Sequence, residues 1–281
     1  MRAILHWASA CALSLVASGA VMAQPVPPAK PAEAGGGFVP HSGQAGKDVV
    51  WVPTAQALVD RMLDSAGATP ADYVIDLGSG DGRTVITAAK RGIRALGVEF
   101  NPDMVALSRK NAEEAGVGDK ATFVEGDIFK TDFSQATVLT LFLLPELNQR
   151  LRPTILNMKP GTRVVSNTFD MGDWKADQAI EIGAECTSFC RGHKWIVPAK
   201  VAGTWTLPDG ELKLEQTYQM VTGTLTKAGR EVPLTNGRLS GTDFTFVIGD
   251  ARYVGTVKDG KLEAKTENGS AQTLSATQRK G

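Results

Sequence analysis

Asp76 stands two residues before a turn in which Gly78, Gly80 and Gly82 alternate with Ser79 and Asp81. Two further acids, Glu99 and Asp127, each follow a short apolar run. Glycines this close let the backbone take positive φ and let a ligand approach it. A helix opening after the turn aims free amide hydrogens at that ligand. A dinucleotide site spaces its glycines G-x-G-x-x-G. Here the third glycine comes one residue too early, and a carboxylate at Asp76 would repel two phosphates. Both features argue against the alternative of a nicotinamide-dependent oxidoreductase. The set suits a nucleoside ligand that carries an ammonium group. Asp76 faces the ammonium, Glu99 accepts from both ribose hydroxyls, and Asp127 with the Ile128 amide holds an adenine edge.

These residues need strand ends to carry them. Tyr73–Leu77 reads as a strand, and Thr84–Lys90 reads as the helix after the glycine turn. A second strand, Ile93–Val98, ends at Glu99. Asn101 then caps a helix with Pro102 as its first residue. Ala121–Val124 is a third strand. Ala136–Leu144 is a continuous apolar run, expected of a strand covered on both faces. Pro145–Leu151 and Thr154–Met158 read as helical, broken at Pro153, and Thr162–Phe169 as a fifth strand. An earlier helix, Ala55–Ala66, has Thr54 as its expected cap. The alternation predicts a doubly wound, Rossmann-like α/β sheet over residues 48–198, with the acids at its carboxyl edge.

From residue 199 to 281 the pattern is short alternating runs. Asp209-Gly210, Asn236-Gly237, Asp259-Gly260 and Asn268-Gly269 punctuate them as hairpin signals. This predicts a small all-β domain, a meander or barrel of six to eight strands. Trp205, Tyr218 and Phe244 are expected in its core.

The stretches Asp76–Arg83, Gly97–Pro102 and Val124–Phe129 resemble the class I S-adenosylmethionine-dependent methyltransferases. Within that class, Leu143–Leu151 and Met158–Ser166 resemble the non-SET protein-lysine methyltransferases that act on histones and on the c-ring protein of ATP synthase. The resemblance implies S-adenosylmethionine as cofactor, with Gly78, Ser79 and Gly80 at its methionine part, Glu99 at the ribose and Asp127 at the adenine. Val52, Pro53 and Thr54 stand where such enzymes close over the cofactor, and Gly82 completes the turn. The implied acceptor is an amine, a protein lysine or a small molecule, with Glu146 a candidate to bind its ammonium and the β domain shaping its access. A helix-capping role for Glu146 is the alternative. Histone enzymes carry an asparagine a few residues before their Pro-Glu pair, and Thr140 stands at that place here. The Asn/Asp-Pro-Pro-Tyr tetrad of adenine methyltransferases is absent, since Leu143, Leu144, Pro145 and Glu146 occupy its position. No Pro-Cys dipeptide serves cytosine chemistry.

The chain has 281 residues, with 30 Lys+Arg against 30 Asp+Glu. That balance provides no field for nucleic acid or an anionic membrane. Arg2, the apolar run Ala3–Val21 and Val21-Met22-Ala23 before Gln24 read as a secretory signal peptide over residues 1–23. An uncleaved anchor, or a start at Met22 giving a cytosolic protein, are the alternatives. A periplasmic or secreted location follows from the first reading, without stable membrane association after cleavage. Export away from a cytosolic cofactor raises a different possibility, a cofactor-binding or scaffold protein without turnover. Residues 24–47 read as a flexible Pro/Gly/Ala linker. Cys11 leaves with the signal peptide, and Cys186 and Cys190 remain. In an extended strand their Cα atoms would lie about 13 Å apart, too far to bridge. A disulfide needs a turn across Thr187, Ser188 and Phe189. With His193 the one nearby histidine, no metal site is expected.

Overall fold

The computed structural model describes residues 38–183, 186–267 and 272–279. The expected signal peptide and most of the linker lie outside them. A seven-stranded sheet has the order β3-β2-β1-β4-β5-β7-β6. Strands β1 (Tyr73–Leu77), β2 (Arg94–Glu99), β3 (Ala121–Glu125), β4 (Val138–Leu141) and β5 (Arg163–Asn167) run parallel. The sheet ends in an antiparallel hairpin of β6 (Gln178–Glu181) and β7 (Arg191–Ile196). Helices α2 (Arg83–Lys90), α3 (Pro102–Glu114) and α4 (Pro145–Ile155) make three of the parallel crossovers, residues 126–137 join β3 to β4 without a helix, and α1 (Gln56–Ser65) precedes β1.

Burial explains the layers. Val74, Ile75 and Leu77 of β1 are buried, as are all four residues of β4. Strands with both faces covered are apolar throughout rather than alternating. One core layer joins α1, α2 and α3 to the sheet through Leu58, Leu63, Val85, Val105 and Ile93. The other packs Leu151 and Ile155 of α4 with Trp174 and Trp195. The chain reverses its order at β1, which lies between β2 and β4, and that switch point is where such sheets bind ligands.

Several boundaries differ from expectation. The apolar run 136–144 forms a strand only over Val138–Leu141, after which Phe142, Leu143 and Leu144 leave the sheet. Helix α4 continues through Pro153. Proline removes one helical hydrogen bond there, but Leu151 and Ile155, one turn apart, stay buried on the same face. The hairpin β6–β7 was not anticipated, because the apolar content of Gln178–Glu181 is too low to signal a strand. Residues 41–47, expected in the flexible linker, form a turn instead. Ala45 bridges Val50, and Gly43 and Gln44 exchange backbone hydrogen bonds with Trp51.

The C-terminal region is a closed antiparallel barrel from β8 (Gly203–Leu207) to β15 (Thr273–Gln278), with β15 pairing back onto β8. Asp259 and Gly260, both at positive φ, make the tight turn expected of that pair. Asn236-Gly237 makes no turn. It forms a bulge within the long strand β11 (Arg230–Ser240), where the pairing with β12 (Asp243–Ile248) shifts register. The expected turn at Asn268-Gly269 lies outside the described residues. Trp205 and Phe244 are fully buried in the barrel core, as expected. Tyr218 instead stacks on Trp174, and its hydroxyl donates to Asp173, tying barrel to sheet. Among the described residues no helix is long and apolar enough to cross a membrane.

Trp205→Ala is expected to destabilise the protein by about 3–5 kcal/mol, measured by urea denaturation. A loss below about 1 kcal/mol would contradict a packed barrel interior.

Candidate active site

A cavity opens at the carboxyl edge of β1, β2, β4 and β5. The turn after β1 forms its floor, and α3 holds that turn from behind. The Ser108 hydroxyl donates to the Gly80 carbonyl at 2.7 Å, and the Asn111 amide donates to the Asp81 carbonyl at 2.9 Å. Glu99 locks it from the side. One carboxylate oxygen accepts from the Gly80 N–H and the other from the Asn101 N–H, both at 2.9 Å. Each oxygen keeps a lone pair for a further donor. Gly80 is at φ +53, and a Cβ there would meet the Trp51 indole at 2.4 Å. This glycine is therefore required both by its backbone conformation and by the side chain folded over it.

Asp76 lies where β1 is flanked by β2 and β4, in register with Gly97 and Thr140. It is buried and accepts from the Thr140 hydroxyl at 2.5 Å. Burial pushes its pKa up to about 7, against the hydrogen bonds from Thr140 and Thr84, with nearby Glu99 adding to the rise. No cation pairs with it among the described residues. A buried carboxylate in this state favours a positively charged ligand group, which would restore its charge.

The other expected site residues distribute unevenly. Thr54, Gly78, Ser79, Gly80, Glu99, Asp127 and Ile128 all line the cavity. The Ser79 hydroxyl, however, is buried against the position a Gly97 Cβ would take, and among the described residues it has no hydrogen-bond partner. Gly82, at φ +83, lies behind the turn as the N-cap of α2, against Phe123. Thr54 does not cap α1, whose N-cap is Ala55 without a side-chain bond. Its hydroxyl accepts from Asn167, and its carbonyl accepts from Arg83, so it joins the closing segment to β5 and α2. Asp127 pairs with Lys47 at 2.9 Å, which holds its carboxyl below the usual range, and its other oxygen accepts from the Phe129 N–H.

The two expected substrate-side residues do not reach the cavity. Thr140 is fully buried and turned to Asp76, so it supports that carboxylate. Glu146 is exposed in the first turn of α4 and does not line the cavity. Nor does it cap the helix, since Leu144 is the N-cap and no side-chain bond is made there. The helix carries Glu146 outward because Asn148 and Leu151 take its buried face.

The end of the cavity away from Asp127 is aromatic. Phe142 leaves β4, Phe169 leaves β5, and Phe189 comes from the turn between β6 and β7. Their ring centroids lie 5.3–6.4 Å apart. Leu144 and Leu147 complete this wall. Phe169 follows Thr168, a β-branched residue at φ +59. Buried Asn148 holds this corner by donating to the Phe169 and Asp170 carbonyls. Sequence reasoning missed these aromatics because single phenylalanines after strands carry no spacing signal. Cys186 and Cys190 are joined in a disulfide, their Cα atoms 5.6 Å apart across the turn that the sequence required. No barrel residue lines the cavity among the described residues, so the β domain does not shape access to it directly. His193 lies in β7 with its ring against the Thr168 carbonyl, and no metal-binding cluster occurs among the described residues.

Residues 76–178 match the family of the ANTKMT methyltransferase domain. Over 148 residues the chain is 42% identical to a protein-lysine N-methyltransferase of Saccharolobus islandicus, covering 52% of this chain and 88% of that one. The chain belongs to this methyltransferase family. An RNA methyltransferase from Salinibacter ruber, solved in complex with S-adenosyl-L-homocysteine, superposes with a TM-score of 0.50 at 46% identity, over 53% of this chain and 96% of that one. The adenine nucleotide translocase lysine N-methyltransferase of Mus musculus is 32% identical over 139 residues, 49% of this chain. The chain spans 60% of that relative's length.

The enzyme is thus an S-adenosylmethionine-dependent methyltransferase, and its residues fit that cofactor. The buried, unpaired Asp76 matches an ammonium group, and Glu99 keeps acceptor capacity for hydroxyls.

Two outcomes test Asp76. Affinity for S-adenosylhomocysteine, measured by calorimetry, should weaken about tenfold per pH unit below about 7, because the carboxylate must be ionised to pair. The unliganded protein should behave oppositely. Its folded Asp76 holds a proton that the unfolded chain loses above about 4, so this residue makes stability fall as pH rises from about 4 to about 7 and leaves the full cost above that. Asp76→Asn should therefore raise Tm at pH 8 while largely abolishing cofactor binding. A lower Tm with intact binding would contradict the assignment.

Proposed function

We propose that this methyltransferase transfers its methyl group to the ε-amine of a protein lysine. The carrying observation is the aromatic end of the cavity, where Phe142, Phe169, Phe189, Leu144 and Leu147 present no ionisable group. An alkyl stem packs on such a wall, and ring faces attract an ammonium. Desolvation on the same apolar wall opposes that attraction and lowers the amine's pKa, so that the proton passes to water before the amine attacks. No general base is then needed at that end. The ionisable lining residues Asp76, Glu99, Asp81, Arg83, Asp127, Lys47 and Asp48 belong to the cofactor side or the segment folded over it.

The cofactor supplies a sulfonium-bound methyl group to be displaced in line by the amine. The chain's own part is alignment. Asp76 holds the ammonium of the methionine part. Glu99, already fixed by two backbone N–H groups, accepts the ribose hydroxyls, and Asp127 with Ile128 receives the adenine edge. Trp51 and Thr54 close over the turn. The lysine methyltransferases among the relatives support this reading.

The Salinibacter relative supports a second acceptor, RNA. A net charge of zero and the uncharged acceptor wall weigh against it, since RNA binding rests on phosphate contacts from cations.

Incubation of purified enzyme and labelled S-adenosylmethionine with protein, RNA and small-molecule fractions separates these readings. Label is expected in protein, as methyl-lysine by mass spectrometry. Label confined to RNA or to small molecules would sink the lysine assignment. Glu99→Gln should weaken cofactor binding by about 1.5–3 kcal/mol, the range of a hydrogen bond to a charged group, because the amide turns a donor toward a backbone N–H. Calorimetry with S-adenosylhomocysteine checks this; unchanged affinity would remove Glu99 from the site.

A further inference from the structure

We propose that Phe189 determines acceptor binding and that the Cys186–Cys190 disulfide holds it in the acceptor channel. The inference rests on the lysine reading of that channel. The turn bearing Phe189 joins β6 and β7 at the sheet edge, remote in sequence from the cofactor turn, yet its ring closes the cluster with Phe142 and Phe169.

Apolar burial does not account for that position. Phe189 is 40% exposed, one of the few large apolar side chains left open. Its backbone lies at φ +54, a left-handed conformation that a side chain of this size disfavours. The β6–β7 ladder ends short of it, at the bond from the Ile182 N–H to the Cys190 carbonyl. The covalent link spans Thr187, Ser188 and Phe189 and brings the Cα atoms at its ends to 5.6 Å. A closed ring of this size leaves the chain few conformations, and the one present turns an exposed aromatic face into the channel. Strain held at a ligand wall is where it serves function. Opening the ring would release both the strained backbone and the ring face, while Asp76, Glu99 and the glycine turn, held by α3 and β2, would keep their positions.

The test uses the enzyme saturated with S-adenosylhomocysteine and n-butylammonium as a stand-in for the lysine side chain, its affinity followed by NMR titration. Four proteins are compared first: oxidised wild type, Phe189→Ala, Cys186→Ser/Cys190→Ser, and wild type treated with dithiothreitol. The reagent delivers two electrons and two protons, giving the two thiols and its own cyclic disulfide. The three altered forms should bind n-butylammonium about fivefold or more weakly, the scale of one lost ring–cation contact. Their affinity for S-adenosylhomocysteine should stay within about twofold of wild type by the same scale. Phe189→Tyr, which keeps the ring face, should restore amine binding. Phe189 is exposed and its replacement leaves the disulfide intact, so a folding failure of the serine variant does not decide the matter. Equal amine binding in wild type and Phe189→Ala overturns this inference and leaves the lysine reading standing. Weak binding in Phe189→Ala with full binding in the reduced and serine forms overturns the role of the disulfide. No amine binding to oxidised wild type overturns both readings.

Discussion

The site depends on a carboxylate held largely out of water at the base of the cavity. Asp76 lies at the switch point of the sheet, between Gly97 of β2 and Thr140 of β4, and its β1 neighbours Ile75 and Leu77 are buried and apolar. Desolvation raises its pKa to about 7, and the hydroxyls of Thr140 and Thr84 offset only part of that. The unliganded protein therefore carries an electrostatic cost that a cationic ligand group relieves. The same geometry disfavours a phosphate. The burial of one acid thus sets the electrostatics of the cavity, more than the glycine turn beside it.

The turn supplies shape. Its conformation is fixed from three sides, by Ser108 and Asn111 of α3, by Glu99 at the end of β2, and by the Val98 carbonyl, which accepts from the Gly78 N–H. Glu99 therefore organises the backbone while also lining the cavity. The segment Gln44–Thr54 covers the turn, with Lys47 paired to Asp127 and its ammonium 4.9 Å from the Phe100 ring. That pair is partly solvent-accessible, so salt screens it and its worth is small. The stronger constraint on this cover is Trp51, whose indole occupies the volume left by the missing Cβ of Gly80.

The aromatic end of the cavity is built by other means. Phe142 and Phe169 sit just past strand ends, and Phe169 follows a strained Thr168. The corner is kept by buried Asn148 and Asn167, which bond to backbone and to Thr54. Among the described residues the barrel contributes none of this lining. Its contact with the sheet runs through Trp174, Tyr218 and Asp177, whose carboxylate accepts from the Ile196 N–H and from Arg238 of β11. It buttresses the antiparallel edge of the sheet, the edge from which the Phe189 turn extends.

Local sequence determined the parts whose chemistry is local. The alternation of apolar runs with helical stretches specified the parallel sheet, because both faces of each strand had to be covered. Glycine spacing and acids at or just past strand ends marked one end of the cavity, because a strand end is fixed in space by the strand itself. Asn101 and Pro102 marked a helix start that is present, with the asparagine side chain accepting from the Asp103 N–H. Tertiary structure decided the rest. Thr140 and Glu146 were adjacent to the site in sequence, yet one faces inward to Asp76 and the other outward to solvent, since helix and strand rotation is set by packing. Asn236-Gly237 became a bulge because both its flanks already had partners. The aromatic wall joins residues 142, 169 and 189 from three separate connections. No spacing announces such a wall, because only the sheet order brings those connections to one edge.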